Sequence, residues 1–542
     1  MKKLKKLPLG IQSFRKIVEG GYIYVDKTQY IYDIINEASF YFLSRPRRFG
    51  KSLFIDTLSE AFSGDRELFK GLSLCDSDYS FENHPVLRLD MSKIANRTPE
   101  LLENSLTAAL GSKIKEEGLD INEGAPSDML MNLIESLHKK YGKGVVVLID
   151  EYDKPILDRL GSPEIADANR DIIRGFYGIL KPMDPCLRLT FITGVSKFTK
   201  TSIFSEMNNL YDITLTEAYS NICGIPVEDL GRHFGEHIEA LASLKSLSHI
   251  DSVHDEILKW YDGYSWNGEA RVINPFSLLS FLMQKRFSSF WYSSGTPKFL
   301  MELIKSRPEG YANLKNLEIG EWSLDKFDIH KMEVEPLLFQ TGYLTVKEIL
   351  PKEMPSVYVT DIPNFEVRLA FNLHILADFT EAGSTLAESA HRKIREALKA
   401  GELQDMLVLL RALFASIPYQ LHMRNEAYYH SIFLALMSSL GFETHAEVQT
   451  ARGRIDAVLE MGDKIYVIEF KYADCAPDAA PEARQALFEK TLGEGMRQIK
   501  GGGYADKYAG SGKVVYQAAF AFLGRDEIEM RVEKIDGVGS LA

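Results

Sequence analysis

The chain has 542 residues, a formal net charge of −13, and apolar and charged fractions of 45% and 26% that are ordinary for a globular protein. This length leads us to expect three or four domains, and the acidic balance argues against a protein that coats nucleic acid indiscriminately. No apolar run could span a bilayer, the basic N-terminus MKKLKKLPLG lacks the apolar stretch of a signal peptide, and the four cysteines show no pairing pattern. We therefore expect a reduced, cytoplasmic protein without a membrane segment.

The first motif in chain order follows an apolar run at residues 40–43 that is typical of a strand. Residues 44–52, SRPRRFGKS, end in Gly50-Lys51-Ser52, the second half of the phosphate-binding pattern G-x-x-x-x-G-K-[ST]. Residues 53–62 carry apolar side chains at helical spacing. In this strand–loop–helix order, backbone N–H groups would point at the phosphates of ATP. Lys51 would reach the β- and γ-phosphates, and Ser52 would hold Mg²⁺.

The phosphate loop departs from the usual pattern at its start. Arg45 stands where the first glycine is expected, and Pro46 follows it. The loop is therefore stiffer and more cationic than usual. We expect Arg45, Arg47 and Arg48 beside the nucleotide, with Phe49 and Gly50 completing the loop. Since a bare GKS tripeptide arises often by chance, an ordinary basic turn stays open on this segment alone.

A second motif supports the first. Residues 145–151, VVVLIDE, are five apolar residues followed by Asp150 and Glu151, which is typical of the buried strand of a Walker B element. Asp150 would bind Mg²⁺, directly or through Ser52 and water, and Glu151 would orient and deprotonate the attacking water. The alternative is a buried strand that ends in a solvated acidic turn.

The next predicted strand covers residues 187–193 and ends in the sequence GVSK. A polar residue here usually faces the γ-phosphate, and we expect Ser196 in this role, with Thr193 as the second choice. Residues 213–215 could add a fifth strand. Strands that alternate with helical stretches predict an α/β, mostly parallel sheet with the nucleotide at the carboxyl ends of its strands.

The middle of the chain, residues 220–345, is predicted to be mainly helical, with aromatic side chains in the core. Residues 337–360 are typical of a helix followed by a two-stranded wing. Such a module can bind DNA, but it serves as often as a packing lid.

The C-terminal region contains a second candidate centre. Residues 454–460 and 464–472 are predicted to form two strands of a hairpin. If Glu460 and Asp463 close a two-residue loop, Asp456 lies diagonal to Glu469, whereas a three-residue loop places the two directly opposite each other. In both registers Asp456, Glu469 and Lys471 converge.

Two carboxylates and a lysine at this spacing suit metal-dependent phosphodiester hydrolysis. Asp456 and Glu469 would hold one or two Mg²⁺, and Lys471 would position or activate the attacking water. Glu426, on a predicted helix at residues 426–440, could complete the acidic cluster. The alternative is a solvated strand face with a cross-strand ion pair, although carboxylates in such an apolar strand are costly.

Five segments together resemble the AAA-ATPase-like family of prokaryotes, whose members commonly carry a C-terminal PD-(D/E)XK nuclease-superfamily domain. They are LPLGIQSFRKIVEGGYIYVDKT, SRPRRFGKS, VLIDEYDKPI, ITGVSKF and WYDGYSW…NPFS. Arg45 in place of the loop glycine matches that family's pattern. The C-terminal resemblance depends on Glu426, GRID at 453–456, EFK at 469–471 and Gln498.

The resemblance implies an α/β fold in three parts. These are a P-loop NTPase domain with a parallel sheet (1–220), a helical and winged-helix-like region (221–415), and an α/β PD-(D/E)XK nuclease-like domain (416–542). It implies ATP and Mg²⁺ as cofactors and DNA, or else RNA, as the partner, often in defence or mobile-element settings. We expect ATP hydrolysis coupled to a nuclease. The alternative is a nucleotide-dependent switch or scaffold with a non-catalytic nuclease-like domain, and a homo-oligomer stays open.

Overall fold

The computed structural model describes residues 4–197, 203–204, 207–244, 250–291, 316–324, 333–350, 356–371, 383–415, 433, 436–437, 443–450, 453–476, 479–508, 511–524 and 527–535. The chain divides into a first unit, Met1–Leu303 with Lys315–Glu366, and a second unit, Ile304–Leu314 with Val367–Ala542. The predicted domain limits at 220 and 415 stay a prediction. Across the described ranges, no helix has both the length and the apolar character needed to cross a membrane.

The first unit contains the predicted parallel sheet. Its strands are β1 (Phe40–Ser44), β2 (Val86–Asp90), β3 (Val145–Asp150), β4 (Leu187–Gly194) and β5 (Tyr211–Asp212), in the order β2-β3-β4-β1-β5. All four pairings are parallel, and every residue of β1 and β3 is buried. The predicted α/β architecture is confirmed. The fifth strand was predicted two residues too late, because it pairs through Tyr211 and Asp212 with Tyr41 and Phe42 at the sheet edge.

The helices that accompany this sheet are α1 (Phe14–Glu19), α2 (Thr28–Glu37), α3 (Lys51–Ala61), α4 (Ser73–Asp76), α5 (Pro99–Glu116), α6 (Pro126–Tyr141), α7 (Lys154–Leu157) and α8 (Pro163–Gly178). Two of them, α1 and α5, begin with a side-chain cap. In α5 the hydroxyl of Thr98 accepts a hydrogen bond from the N–H of Leu101, and Pro99 occupies the first turn, where its missing N–H costs nothing.

Three further helices form a separate core within the first unit. They are α9 (Val227–Leu244), α10 (Ile250–Tyr261) and α11 (Pro275–Gln284), accompanied by the short antiparallel strands β6 (Ile225–Pro226) and β7 (Val272–Ile273). Ile23 of the N-terminal segment is buried in this core, and Leu9 and Val25 pack against it. The N-terminal segment is thereby held against the helices that follow the sheet.

The predicted winged region has one strand more than expected. It contains β8 (Leu317–Gly320), α12 (Glu321–Leu324), α13 (Val334–Thr341), β9 (Thr345–Leu350) and β10 (Val357–Asp361). The strands form an antiparallel sheet in the order β8-β10-β9. Gly342 ends α13 with a φ of 92°. A Cβ there would stand 2.8 Å from Pro46, so this glycine allows the winged region to approach the phosphate loop.

The second unit contains a mixed five-stranded sheet. Its elements are α14 (Gly383–Ala400), α15 (Leu403–Ala415), β11 (Glu443–Thr450), β12 (Gly453–Met461), β13 (Lys464–Ala473), α16 (Pro481–Gly501), β14 (Val514–Leu523) and β15 (Glu527–Ile535). The order is β11-β12-β13-β14-β15, and β13 and β14 are parallel because α16 connects them. Apolar cores cover both faces of the sheet, one with α14 and α15 and the other with α16. This agrees with the predicted α/β domain.

The hairpin of β12 and β13 closes differently from either predicted loop. Met461 pairs with Lys464, so the loop is Gly462-Asp463, with a φ of 52° at Gly462. Ala457 pairs with Ile468, and the next step of this register sets Asp456 opposite Glu469. The two-residue loop predicted between Glu460 and Asp463 was therefore wrong by one residue, although the carboxylates do converge. The glycine at the first loop position, which accepts a positive φ, selects this closure.

Candidate functional site

The loop between β1 and α3 has the backbone of a phosphate cradle. Gly50 precedes α3 with a φ of 100° and Arg48 has a φ of 70°, values in the left-handed region. Helix α3 therefore begins at Lys51 with its first N–H groups unused by the helix and its positive end toward the loop. The ammonium of Lys51 folds back and donates to the carbonyl oxygens of Arg45 (2.7 Å) and Pro46 (2.9 Å). Burial lowers the pKa of Lys51.

The end of β3 presents two carboxylates near this loop. Oδ1 of Asp150 accepts hydrogen bonds from the hydroxyl of Thr193 (2.8 Å) and from the N–H of Glu151 (3.1 Å). Glu151 has a φ of 52°, a strained value for a residue with a side chain. Burial raises the pKa of Glu151, opposed by the ammonium of Lys51 and reinforced by the charge on Asp150. A carboxyl with a raised pKa beside a phosphate loop suits a general base.

Ser196, expected to face the γ-phosphate, lies in a different buried cluster. Its hydroxyl and its N–H donate to Oδ2 of Asp153 at 2.7 and 2.6 Å, and the N–H of Val195 donates to the same oxygen at 3.0 Å. Thr193, the second choice, is the residue that contacts Asp150. The structure thus gives Ser196 a role in holding the end of β4 and brings Thr193 to the acidic pair.

Of the three arginines expected beside the phosphate, Arg45 points elsewhere. It is fully buried, and its guanidinium donates to the carbonyl oxygens of Ser44 (2.9 Å), Thr214 (2.7 Å) and Tyr219 (3.1 Å). The same group lies 4.1 Å from the ring centre of Trp266. The guanidinium of Arg45 is therefore bonded to backbone oxygens and packed on an aromatic ring, so it stabilises the loop and does not face the phosphate site. Only the backbone carbonyl of Arg45 contacts Lys51.

Arg47, Arg48 and Phe49 have different surroundings. The first two line a cavity at the loop, and the guanidinium of Arg48 lies 4.9 Å from the ring centre of Phe276. The carbonyl oxygen of Arg47 accepts a hydrogen bond from Nε1 of Trp291 at 3.0 Å. Phe49 also lines the cavity, and its buried ring packs edge-on against those of Tyr264 and Trp266, which anchors the loop.

The cavity has a volume of about 450 Å³ and lies within the first unit. Gly50, Lys51, Ser52 and Glu151 line one part of it. Another part is apolar, and its walls come from the N-terminal segment and from α11, with side chains of Leu9, Ile11, Ile23, Val25, Phe276 and Leu279. Sequence reasoning missed this wall, because its two halves are more than 240 residues apart and neither carries a local motif. Apolar and aromatic walls of this kind suit a weakly polar ring such as a nucleobase.

In the second unit, Glu469 is a fully buried carboxylate on β13. Oε1 accepts a hydrogen bond from Nζ of Lys471 at 2.9 Å, whereas Oε2 has no hydrogen-bond partner among the described residues. Burial raises the pKa of Glu469 to about 7, and the nearby charge on Asp456 adds to this rise. A buried carboxylate oxygen without a partner is costly, so the position of Oε2 fits a cation ligand.

Asp456 and Lys471 are held by the backbone of the same strand. Oδ2 of Asp456 accepts a hydrogen bond from the N–H of Phe470 at 2.8 Å, and Nζ of Lys471 donates to the carbonyl oxygen of Phe470 at the same distance. Gly495 of α16 lies against the Lys471 side chain, since a Cβ there would stand 3.6 Å from Cγ of Lys471. The predicted Asp–Glu–Lys convergence is therefore present, with α16 packed beside it.

Two further residues, Gln498 and Glu426, belong to the predicted site. Gln498 is exposed on α16. Glu426 and most of the predicted helix at 426–440 lie outside the described residues. Among the residues that the structure describes, no group of three or more His, Cys, Asp or Glu could hold a metal ion. The described part of this site contains two carboxylates, Asp456 and Glu469. Their oxygens are the type of ligand that Mg²⁺ prefers.

Comparison with known proteins assigns both units to families. Residues 8–204 match the family model described as predicted AAA-ATPase, and residues 424–531 match the PD-(D/E)XK nuclease superfamily. An "Uncharacterized protein in vnfD 5'region" from Azotobacter chroococcum mcd 1 is 36% identical over 526 residues, which cover 96% of each chain. These matches confirm the resemblance that the motifs indicated.

A solved structure of the Aeropyrum pernix ORC2 protein in ADPNP-ADP complexes covers 64% of this chain and 93% of its own. It shares 12% identity with a TM-score of 0.26, which is too low to support an argument. The family models and the full-length relative decide the assignment. The chain belongs to the predicted AAA-ATPase family and carries a C-terminal domain of the PD-(D/E)XK nuclease superfamily.

Proposed function

We propose that the first unit binds and hydrolyses ATP in the cavity at the phosphate loop. The observation that carries this proposal is the cavity itself, whose lining combines Lys51 and Ser52 at the start of α3 with apolar side chains of the kind that contact a nucleobase. The N–H groups at the start of α3 would bind phosphate oxygens, and Lys51 would exchange its two carbonyl partners for the β- and γ-phosphates.

Hydrolysis would use the acidic pair at the end of β3. Ser52 and Asp150 would hold Mg²⁺, which would neutralise charge on the phosphates. Thr193 would keep Asp150 in position through its hydrogen bond of 2.8 Å. Glu151, whose pKa burial raises, would orient the attacking water and take its proton.

For the second unit we propose Mg²⁺-dependent hydrolysis of phosphodiester bonds, with DNA as the first substrate to test and RNA as the second. The observation that carries this proposal is Oε2 of Glu469, buried without a partner next to Asp456. Asp456 and Glu469 would hold the ion, which would polarise the phosphodiester. Lys471 would then release Glu469 and offset the negative charge that develops on the phosphate.

A specific observation also favours the alternative of a nucleotide-dependent switch or scaffold with a non-catalytic second unit. Lys471 already donates to Glu469 and to the carbonyl oxygen of Phe470, which is the bonding expected of a structural ion pair. The two candidates differ in one measurable respect, because only the nuclease requires that Lys471 exchange these partners during a reaction.

The deciding experiment incubates the full chain with supercoiled DNA, linear DNA and single-stranded RNA in the presence of Mg²⁺, with and without ATP. We expect wild type to cleave one of these substrates and to hydrolyse ATP. Lys51→Ala should lose nucleotide binding, Glu151→Gln should bind ATP without turnover, and Asp456→Asn should lose cleavage while it still hydrolyses ATP. If wild type hydrolysed ATP but cleaved none of these substrates with any divalent ion, the alternative of a switch or scaffold with a non-catalytic second unit would be correct.

A further inference from the structure

Lys27 is a buried cation in the cavity wall to which the proposed mechanism assigns no task. The residue is 9% exposed, and it lines the cavity together with Lys51 and Arg47. Its ammonium donates to the carbonyl oxygen of Asn221 at 2.8 Å. Two of its three N–H donors are left over, and among the described residues no carboxylate lies within ion-pair distance of Lys27.

Three carboxylates, Asp229, Glu228 and Asp26, act on Lys27 from beyond ion-pair distance, and two of them are bonded to other groups. Asp26 accepts hydrogen bonds from Thr28 on Oδ1 and from Ser73 on Oδ2. Asp229 pairs with Arg232 at 3.4 Å. A buried ammonium without an anionic partner is unfavourable, and burial lowers the pKa of Lys27 to about 8. An anionic ligand in the cavity would supply the missing partner.

The position of Lys27 indicates which part of a nucleotide it would meet. Ile23 and Val25, just before it in the chain, belong to the apolar wall. Asn221, its hydrogen-bond partner, precedes Gly224, whose N–H donates to the carbonyl oxygen of Phe49 in the phosphate loop at 3.0 Å. Lys27 thus follows residues of the apolar wall in the chain, and its ammonium is bonded to the segment that contacts the phosphate loop.

We propose that Lys27 binds an oxygen of the α-phosphate, the phosphoryl group attached to the ribose. This inference depends on the proposed binding of ATP in the same cavity and adds a recognition residue to it. The charge balance supports the assignment, because the described residues of the lining include Lys27, Arg47, Arg48 and Lys51 against the single carboxylate of Glu151, while a fifth cation, Lys154, pairs with Asp158 at 3.1 Å. A polyphosphate offsets such an excess.

The test compares wild type with Lys27→Met, which keeps the length of the stem and removes the charge. ATP, ADP, AMP and adenosine each compete against a fluorescent ADP analogue. We expect Lys27→Met to weaken the binding of ATP, ADP and AMP by about the same factor, about 10- to 100-fold for one lost charge-assisted hydrogen bond. The affinity for adenosine should be unchanged. Lys51→Met is the matched control, since it should weaken the binding of ATP and ADP and leave the affinity for AMP unchanged.

A second measurement separates recognition from support of the fold. Without nucleotide, Lys27→Met should melt at the same temperature as wild type or higher, because the substitution removes a buried charge. The proposal would be overturned if Lys27→Met melted at a lower temperature and lost equal affinity for adenosine and AMP. It would also be overturned if the affinities for ATP, ADP and AMP were unchanged. If wild type bound no adenine nucleotide, ATP binding and the role of Lys27 would fall together. If only the variant comparison failed, ATP binding would stand.

Discussion

The hydroxyl of Thr193 donates a hydrogen bond to Oδ1 of Asp150 across the neighbouring strands β4 and β3, at 2.8 Å. Both side chains are buried, at 0% and 3% exposure, so water does not compete for this bond. The carboxylate that would share Mg²⁺ with Ser52 is thereby held in one orientation. A hydroxyl one strand away from the acidic pair thus becomes part of the proposed ATPase site.

Thr193→Val tests this relationship, because valine keeps the shape of the side chain and removes the donor. We expect ATP turnover to fall by about tenfold or more, the equivalent of one hydrogen bond to a charged group. Nucleotide affinity without Mg²⁺ should change little, since Thr193 is not among the residues that line the cavity. Steady-state turnover and equilibrium titration with and without Mg²⁺ measure the two effects.

Ser196→Ala is the matched control on the same strand end. It removes one of three donors to the buried Asp153 and should lower the free energy of unfolding by about 1 kcal/mol while sparing turnover. A loss of turnover in Ser196→Ala larger than in Thr193→Val would return the γ-phosphate role to Ser196.

The contiguous motifs were predictable and the tertiary partners were not. Lys51 and Asp150 belong to short patterns in which the chain itself supplies strand, loop and helix, so their place at the sheet follows from local sequence. Arg45 belongs to the same loop, yet its side chain bonds to Thr214 and Tyr219, about 170 residues away. No local pattern reports such partners, and the cationic character of the loop suggested a phosphate contact instead.

The second candidate site shows the same division between local and distant information. Strand period brought Glu469 and Lys471 to one face, because alternation is a local property. The depth of Glu469 and its bare Oε2 depend on the packing of α16 against β13 and β14, which the hairpin sequence does not contain. The loop was predicted one residue too early, since Gly462 and not Met461 takes the first loop position.

The arginines of the phosphate loop should separate into two classes when substituted. Arg45→Met leaves the carbonyl oxygens of Thr214 and Tyr219 unpaired in the interior, and we expect the free energy of unfolding to fall by about 3 kcal/mol. Arg47→Ala and Arg48→Ala should leave the free energy of unfolding nearly unchanged. They should weaken the binding of ATP more than that of ADP, because the added negative charge of ATP lies at its γ-phosphate. Urea denaturation and calorimetric titration measure the two properties.

Nucleotide affinities can contradict this separation of Arg45 from Arg47 and Arg48. If Arg45→Met stayed as stable as wild type and lost ATP selectively, its guanidinium would have to leave its carbonyl partners for the phosphate. Equal losses of ATP and ADP in Arg47→Ala and Arg48→Ala would mean that these two cations do not act on the γ-phosphate.

Glu366 should make the stability of the first unit depend on pH. The residue is fully buried, Oε1 accepts a hydrogen bond from the N–H of Trp291 at 2.7 Å, and Oε2 has no hydrogen-bond partner among the described residues. Burial raises its pKa from 4.5 to about 7. The folded protein therefore binds a proton that the unfolded chain has lost between these pH values, so this group's contribution to stability falls as pH rises from 4.5 to 7 and is level above.

Glu366→Gln keeps the acceptor for Trp291 and removes the ionisable group. Since one pKa unit corresponds to about 1.4 kcal/mol, the variant should gain about 3 kcal/mol relative to wild type between pH 4.5 and pH 8. The difference between the two proteins at each pH isolates this carboxyl from every other titrating group. Urea titrations at pH 5 and pH 8, followed by tryptophan fluorescence, measure it. A difference that does not change with pH would show that Glu366 titrates near its ordinary value.

The last prediction concerns Asp456, Glu469 and Lys471. If the two carboxylates hold one ion, Asp456→Asn and Glu469→Gln should each abolish Mg²⁺-dependent cleavage, and the double variant should be no worse than either alone, because groups that act as a unit are not additive. Lys471→Met should keep metal affinity and lose most of the rate, since its proposed role lies in the transition state. Cleavage rates and Mn²⁺ titrations on the four variants measure these effects.

Melting temperatures with and without Mn²⁺ separate this mechanism from a structural ion pair. In the mechanism, the ion stabilises wild type and Lys471→Met alike, because both keep Asp456 and Glu469, and it fails to stabilise Glu469→Gln. In the scaffold, Lys471→Met leaves a buried carboxylate without its cation, which costs up to several kcal/mol, and no variant responds to the ion. Glu469→Gln would then be as stable as wild type or more so, since it removes a carboxyl whose pKa burial has raised to about 7. Stabilisation by Mn²⁺ that vanishes with Glu469→Gln and persists in Lys471→Met is the result that only the metal site predicts.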